Sequence, residues 1–378
     1  MKLLIFYKYV TILTICSISS LSVAGDRVNA TIWKNQSSNI NRSHLAQNLQ
    51  RQTDLLLIAG IQKFKAKDYS GAIAEFSKAI QLNPSSEKAW YNRAVAYGAA
   101  SNRQGAIDDY SQVIKLNPQN TNSYYNRAVF KEKIGDKQGA LSDFNRVIEL
   151  DPNYIDAYLN RGNLLQESGD LSGAIASFSA AIKVQPDRAD VYLNRGLAKY
   201  RLGDRQGAIA DYDLAIAANP SYYLAYNNRA LTKADLADNQ GAMADYNRAI
   251  ELEPKYYLSY YNRGNTRRRS GDNIGAIADY NQAIKLKPDF GSAYNNRGLS
   301  QRKIKEFTAA LSDFNRAIKF SPELAEAYYN RALARRELKD KPGAIGDFKT
   351  AARLYEQQGY KQSAKNALNF VQQVEQQK

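Results

Sequence analysis

The chain has 378 residues, 44% of them hydrophobic, and a formal net charge of +15. That apolar fraction excludes a fully disordered polypeptide, and the length allows two or three domains. The positive balance favours acidic partners over basic ones.

At the N-terminus Lys2 and Lys8 precede an apolar run from Val10 to Ile18, and Ser22 and Ala24 stand at signal-peptidase spacing. Residues 1–24 are expected to be a secretory signal peptide, giving export to a periplasmic, lumenal or extracellular compartment. Retention as a membrane anchor ranks second, because the uninterrupted run after Lys8 is shorter than the ~20 apolar residues of a span. A lipoprotein box at Leu13–Cys16 ranks third, since Ile15 is bulky for it. Cleavage would remove Cys16, the only cysteine, and leave no disulfide. Residues 25–52 turn to Asn, Ser, Gln and Arg and read as a flexible linker. Its sequons at Asn29, Asn35 and Asn41 matter only in a glycosylating host.

From Pro84 to Pro322, eight of the nine prolines are spaced 34 residues apart. Asn-Arg pairs keep the same step from Asn92 to Asn330, and Gly-Ala pairs keep it from Gly71 to Gly343, with Ala309-Ala310 as the substitute. Such a period marks a repeat protein. With the proline as position 32, nine units follow: 53–86, 87–120, 121–154, 155–188, 189–222, 223–256, 257–290, 291–324 and 325–358. Position 4 is Leu56, Trp90 and then tyrosine to Tyr328, and position 8 is Gly or Ala, so one helical face pairs a large ring with a small residue. Positions 15 and 16, often Gly-Asp, end that helix and cap the next. Pro342 falls in the first turn of a second helix, where its missing amide hydrogen is tolerated. The second helix carries alanine at 20, Phe or Tyr at 24 and Ala or Val at 27. Residues 359–378 place Ala364, Leu368 and Val371 or Val374 on one face, as a capping helix would.

The order of aromatic 4, small 8, alanine 20, aromatic 24, small 27 and proline 32 resembles the tetratricopeptide repeat (TPR) family. It departs from that family in having arginine at position 7, where leucine is common, and in keeping the usual aromatic of position 11 only at Tyr97. The resemblance implies an all-α fold, an alpha-alpha superhelix or TPR solenoid of nine helical hairpins with a C-terminal capping helix.

Arginine at position 7 recurs in eight units, with aspartate at position 23 in seven, which suggests a charge pair between the two helices of a hairpin. Unit four has Arg161 opposite Ser177. Asparagine at position 6, namely Asn92, Asn126, Asn160, Asn194, Asn228, Asn262, Asn296 and Asn330, lies on a stripe turned about 160° from the hairpin core. Copying of one ancestral unit would explain the series without a role. The functional alternative is a row of amides that hold an extended peptide by its backbone. The family resemblance implies the latter, since asparagines at this position line the inner surface of related superhelical arrays.

Units seven to nine carry +3, +3 and +2, whereas units three to six lie between 0 and −1. By family analogy Arg268, Arg269, Arg302, Lys303 and Arg336 share one inward wall, with a solvated helix face as the plainer reading. Arg267, at position 11, is expected to lay its stem along the neighbouring helix. Tyr91, Tyr125, Tyr261, Tyr329 and Tyr200 could contact a peptide, but packing between units is the favoured use.

Catalysis is not expected. His44, the only histidine, falls in the linker, and no phosphate loop, HExxH, GxSxG or metal-spaced cluster occurs. No cofactor and no metal are expected. The leading expectation is a non-enzymatic scaffold that binds a protein or peptide, preferably acidic, in a concave groove. Other readings are a binder of an anionic polymer (nucleic acid or acidic polysaccharide), with nucleic acid disfavoured, and a substrate-binding partner of a separate enzyme such as a glycosyltransferase. Contact with a membrane would require the N-terminal segment to stay uncleaved.

Overall fold

A computed structural model describes residues 30–376, with side chains from His44 onward. The expected signal peptide lies outside the described residues. The described chain is helical throughout and separates into two compact units, residues up to 112 and residues from 113 onward.

The first unit holds α1 (Ala30–Lys65), α2 (Tyr69–Leu82), α3 (Glu87–Ala99) and most of α4 (Arg103–Leu116). The second holds seven hairpins: α5 (Thr121–Lys133) with α6 (Lys137–Leu150), α7 (Ile155–Glu167) with α8 (Leu171–Val184), α9 (Ala189–Leu202) with α10 (Arg205–Ala218), α11 (Tyr223–Asp235) with α12 (Asn239–Leu252), α13 (Tyr257–Arg269) with α14 (Asn273–Leu286), α15 (Gly291–Lys303) with α16 (Phe307–Phe320), and α17 (Ala325–Glu337) with α18 (Lys341–Gln357). The last helix, α19 (Lys361–Gln376), packs on α18. Among the described residues no helix is long and apolar enough to cross a membrane.

Two expectations are corrected. Residues 30–52, read as linker, are helical, because Ala30–Gln52 contains neither proline nor glycine and a helix propagates readily from the packed turns of α1. In α19 the buried face is Ala364, Ala367, Val371 and Val374, whereas Leu368 is 48% exposed. Phe370 also turns inward and stacks on Phe348 with centroids 5.3 Å apart.

Each loop between paired helices has a local cause. Position 15 is left-handed in every hairpin: Gly135 at φ 88° and Gly203 at φ 98°, but also Ala237 at 65° and Lys305 at 67°. Position 16 then caps. Asp136 accepts a hydrogen bond from the Gly139 amide at 2.9 Å, and the pattern repeats at Asp170, Asp204, Asp238, Asp272 and Asp340. The glycine of the Gly-Ala pair is required there, because a Cβ on Gly139 would stand 2.1 Å from the Asp136 carboxylate. Unit eight has Glu306, which makes no cap, and there the glycine is replaced by Ala309.

The cores lie between repeats as well as within them. Phe144 of α6, fully buried, clusters with Ala128 and Ala140 of its own hairpin and with Ala157 and Leu164 of α7 in the next. Phe178 likewise meets Val191 and Ala198 of α9. Positions 3 and 10 of the first helix are therefore buried in every unit from the second to the ninth, although the hairpin pattern alone marks only 4, 8 and 11. Burying each ring contributes roughly 2–3 kcal/mol of transfer free energy. In the second unit first helices also touch one another, α7 to α9 and on to α17, forming one layer.

Candidate functional site

The layer of first helices presents the position-6 asparagines, and the position-5 residue of the preceding unit decides what each amide does. Position 6 lies about 60° round the helix from the buried 3 and 10 stripe, at the seam between hairpins. There the Asn160 Nδ2 donates to the Tyr125 hydroxyl at 2.9 Å, Asn262 to Asn227 Oδ1 at 3.4 Å, Asn296 to the Tyr261 hydroxyl at 3.1 Å, and Asn330 to Asn295 Oδ1 at 3.0 Å. Position 5 of the preceding unit is leucine for Asn194 and Asn228, namely Leu159 and Leu193. Those two amides make no inter-repeat hydrogen bond among the described residues and remain half-buried at the surface of the seam. Asn92 donates to the Lys88 carbonyl within its own helix, and Asn126 is half-buried.

The sequence carries a signal for this split: a polar residue or a leucine at position 5 of the preceding unit, 35 residues before each asparagine. Tyr125 shows the cost of the seam, since burial pushes its phenol up to about 12 against the partial relief of the Asn160 bond.

Position-5 tyrosines otherwise pack on rings. Tyr261 lies 4.8 Å from Phe290, and Tyr329 lies 5.5 Å from Phe348 and 5.9 Å from Phe370. Tyr200 donates its hydroxyl to Asp235.

Four of the candidate residues meet in one place. A cavity of 270 Å³ is lined by Asn262, Arg268 and Arg269 of α13, Asn296 of α15, and Leu231 and Asp235 of α11, with Asn265 between them. Arg269 stands 3.6 Å from the Asp235 carboxylate, so its charge is partly answered. The Nε of Arg268 is buried with no hydrogen-bond partner.

Arg302 and Arg336 form a second basic neighbourhood around Tyr329. Burial first, and then the Arg336 charge, hold the Arg302 guanidinium below its ordinary pKa, partly offset by Glu337. Its Nε also lacks a partner. Arg336 lies over the Phe370 ring at 5.4 Å and 3.6 Å from Glu337. Lys303 is exposed.

The position-7 arginines are scaffold. Arg195 donates from Nε to Asp211 Oδ2 at 2.9 Å, from Nη2 to Oδ1 at 2.6 Å, and from Nη1 to Ser179 of the preceding hairpin at 3.1 Å. The same carboxylate fork joins Arg93 to Asp109, Arg127 to Asp143, Arg229 to Asp245, Arg263 to Asp279, Arg297 to Asp313 and Arg331 to Asp347. Each guanidinium also lies over the position-4 ring of its own helix, 5.7 Å for Arg195 over Tyr192. Arg267 does more than lay down its stem: its Nη1 reaches Asp279 at 2.9 Å, as Lys131, Lys199, Lys233 and Arg335 reach their own aspartates. Among the described residues no group of three or more His, Cys, Asp or Glu side chains could hold a metal.

Family models described as "Tetratricopeptide repeat" match residues 87–120, 121–154, 159–223, 193–257, 245–278 and 295–359, and one described as "TPR repeat" matches 62–100 and 264–304. No curated protein matches the chain. Among solved structures, a tetratricopeptide repeat protein from Parabacteroides merdae is 18% identical with a TM-score of 0.54, covering 66% of this chain and 98% of its own. The C-terminal part of a TPR repeat-containing protein from Cytophaga hutchinsonii is 20% identical with a TM-score of 0.54, covering 63% and 97%. The Cut9–Hcn1 hetero-tetramer of APC/C is 17% identical with a TM-score of 0.51, covering 77% and 58%. These likenesses concern the fold, and with the family matches along most of the described residues they lead to one conclusion: the chain belongs to the tetratricopeptide repeat proteins.

Proposed function

We propose that the protein is a non-enzymatic, exported scaffold that holds an extended segment of a partner protein along the layer of first helices. TPR proteins are generally binding scaffolds. The observation that carries the reading is the pair of uncommitted amides, Asn194 and Asn228, one repeat apart and half-buried at the seam, in the same layer of first helices that carries Arg268 and Arg269. An amide offers both a donor and an acceptor, so two of them 34 residues apart in sequence can pair with a peptide backbone without selecting its side chains. The half-buried Leu159 supplies apolar contact, and Arg268, Arg302 and Arg336 set a preference for acidic side chains. Asn160, Asn262, Asn296 and Asn330 join neighbouring hairpins instead of meeting the partner.

Capture from native extract by the full chain tests this, with Asn194→Ala/Asn228→Ala set beside Asn160→Ala/Asn296→Ala. Loss of the captured segment with the first pair alone supports the assignment. An unchanged catch with the first pair rejects it. Capture that collapses with added salt and is competed by polyanion would instead favour an anionic polymer.

A further inference from the structure

Unit four breaks the pattern that its sisters keep, and the break opens a cavity. In seven repeats the position-7 arginine forks onto an aspartate at position 23; in unit four that position is Ser177, and position 11, a lysine or arginine in five other units from the third to the ninth, is Leu165. Arg161 nevertheless keeps the posture of its sisters. Its guanidinium lies 5.5 Å over the Tyr158 ring, Nη1 donates to Asn145 Oδ1 of α6 at 2.8 Å, and Nε donates to the Ser177 hydroxyl at 3.1 Å. Only the carboxylate is missing: among the described residues Arg161 forms no ion pair, and its Nη2 makes no hydrogen bond. A cavity of 540 Å³ opens at this point between α6, α7 and α8, lined by Leu141, Ser142, Asn145, Arg161, Leu165 and Ser177 among others.

We propose that this cavity is a binding site for a carboxylate on a short aliphatic stem, which lies beside Ser177 where the sister repeats have aspartate and accepts a hydrogen bond from the free Nη2 of Arg161. The seven sister repeats supply the reference geometry, with oxygen atoms 2.6–2.9 Å from Nη2 and Nε in unit five. A half-buried guanidinium held by a ring and an amide is preorganised, so little side-chain freedom is lost when an anion arrives. Leu141 and Leu165 give the stem an apolar wall, and Ser142 offers a further hydroxyl. Burial holds the Arg161 pKa below its ordinary value, whereas the hydrogen bond to Asp109 raises that of Arg93. The volume falls within the range of small-molecule pockets, about 300–1,000 Å³. The site lies at the second helices, and it stands independently of the amide face.

The test is isothermal titration of the full chain with butyrate and hexanoate, and separately with an uncharged-end hexapeptide bearing one glutamate, each against chloride at equal ionic strength. The variant is Ser177→Asp, which installs the internal carboxylate that the sister repeats fold with. Saturable binding in the millimolar range or tighter, weakened at least tenfold in Ser177→Asp, supports the site. Binding of the free acids assigns a small-molecule ligand, and binding of the peptide alone assigns a glutamate of a polypeptide. Heats no larger than chloride in both arms, or binding unchanged by Ser177→Asp, overturn the proposal.

Discussion

Replacing Asp211 by alanine removes the acceptor of three charged hydrogen bonds from a place where water does not substitute for it. The Asp211 side chain is 2% exposed, and it receives Arg195 at 2.6 and 2.9 Å and Lys199 at 2.9 Å. Arg195 and Lys199 are themselves only 17% and 20% exposed, so both cations would be left largely desolvated. Breaking a buried pair from one side costs about 3–5 kcal/mol, more than the pair's net contribution, because the remaining charge is uncompensated. Arg195→Ala alone should cost about 2–4 kcal/mol, since it also removes the Ser179 bond and the Tyr192 contact. The double variant should cost less than the sum of the two by about 2 kcal/mol. Urea unfolding of the full chain followed by circular dichroism, and fitted with nearest-neighbour coupling between repeats, measures the cycle. Additivity within about 0.5 kcal/mol would show that the fork does not hold the hairpin together. Arg161 and Ser177 provide the internal comparison, and their coupling should be smaller than that of Arg195 and Asp211 because one partner is neutral and a single bond joins them.

Three further outcomes follow from the same geometry. Asp136→Ala should cost about 1 kcal/mol by releasing the Gly139 amide, whereas Glu306→Ala, at a position that makes no side-chain cap, should change stability by less than about 0.5 kcal/mol; thermal unfolding separates them. Ala237→Gly, at φ 65°, should stabilise the chain by about 1 kcal/mol, because glycine takes the left-handed turn without Cβ strain; an unchanged or lower midpoint contradicts this. Burial pushes the phenols of Tyr125, Tyr222 and Tyr355 up to about 12. Below pH about 10 they are protonated in both states and their contribution is complete; above it the unfolded chain loses protons first, so stability falls as pH climbs toward about 12. A spectrophotometric titration should show a tyrosine class ionising near that pH or together with unfolding, and ionisation of every tyrosine near pH 10 in a chain that stays helical would contradict it.

The sequence by itself determined the period, the helical hairpin and its ends, because these depend on residues close together in the chain. A proline every 34 residues, Asp capping the glycine three places on, and ring against small residue at positions 4 and 8 need no distant partner to be read. The charge pair of positions 7 and 23 was legible for the same reason, since both members belong to one hairpin. What stacking alone decided was the fate of residues that face a neighbouring repeat. Positions 3 and 10 look unremarkable in a single hairpin and become core only against the preceding one, as Ala157 and Leu164 do by covering Phe144. The asparagines look alike along the chain, yet Asn160 is bonded to a tyrosine one repeat back while Asn194 has a leucine at the equivalent position and no such bond. A hydrogen bond across a seam depends on which side chain lies opposite, and that pairing exists only once the hairpins are packed.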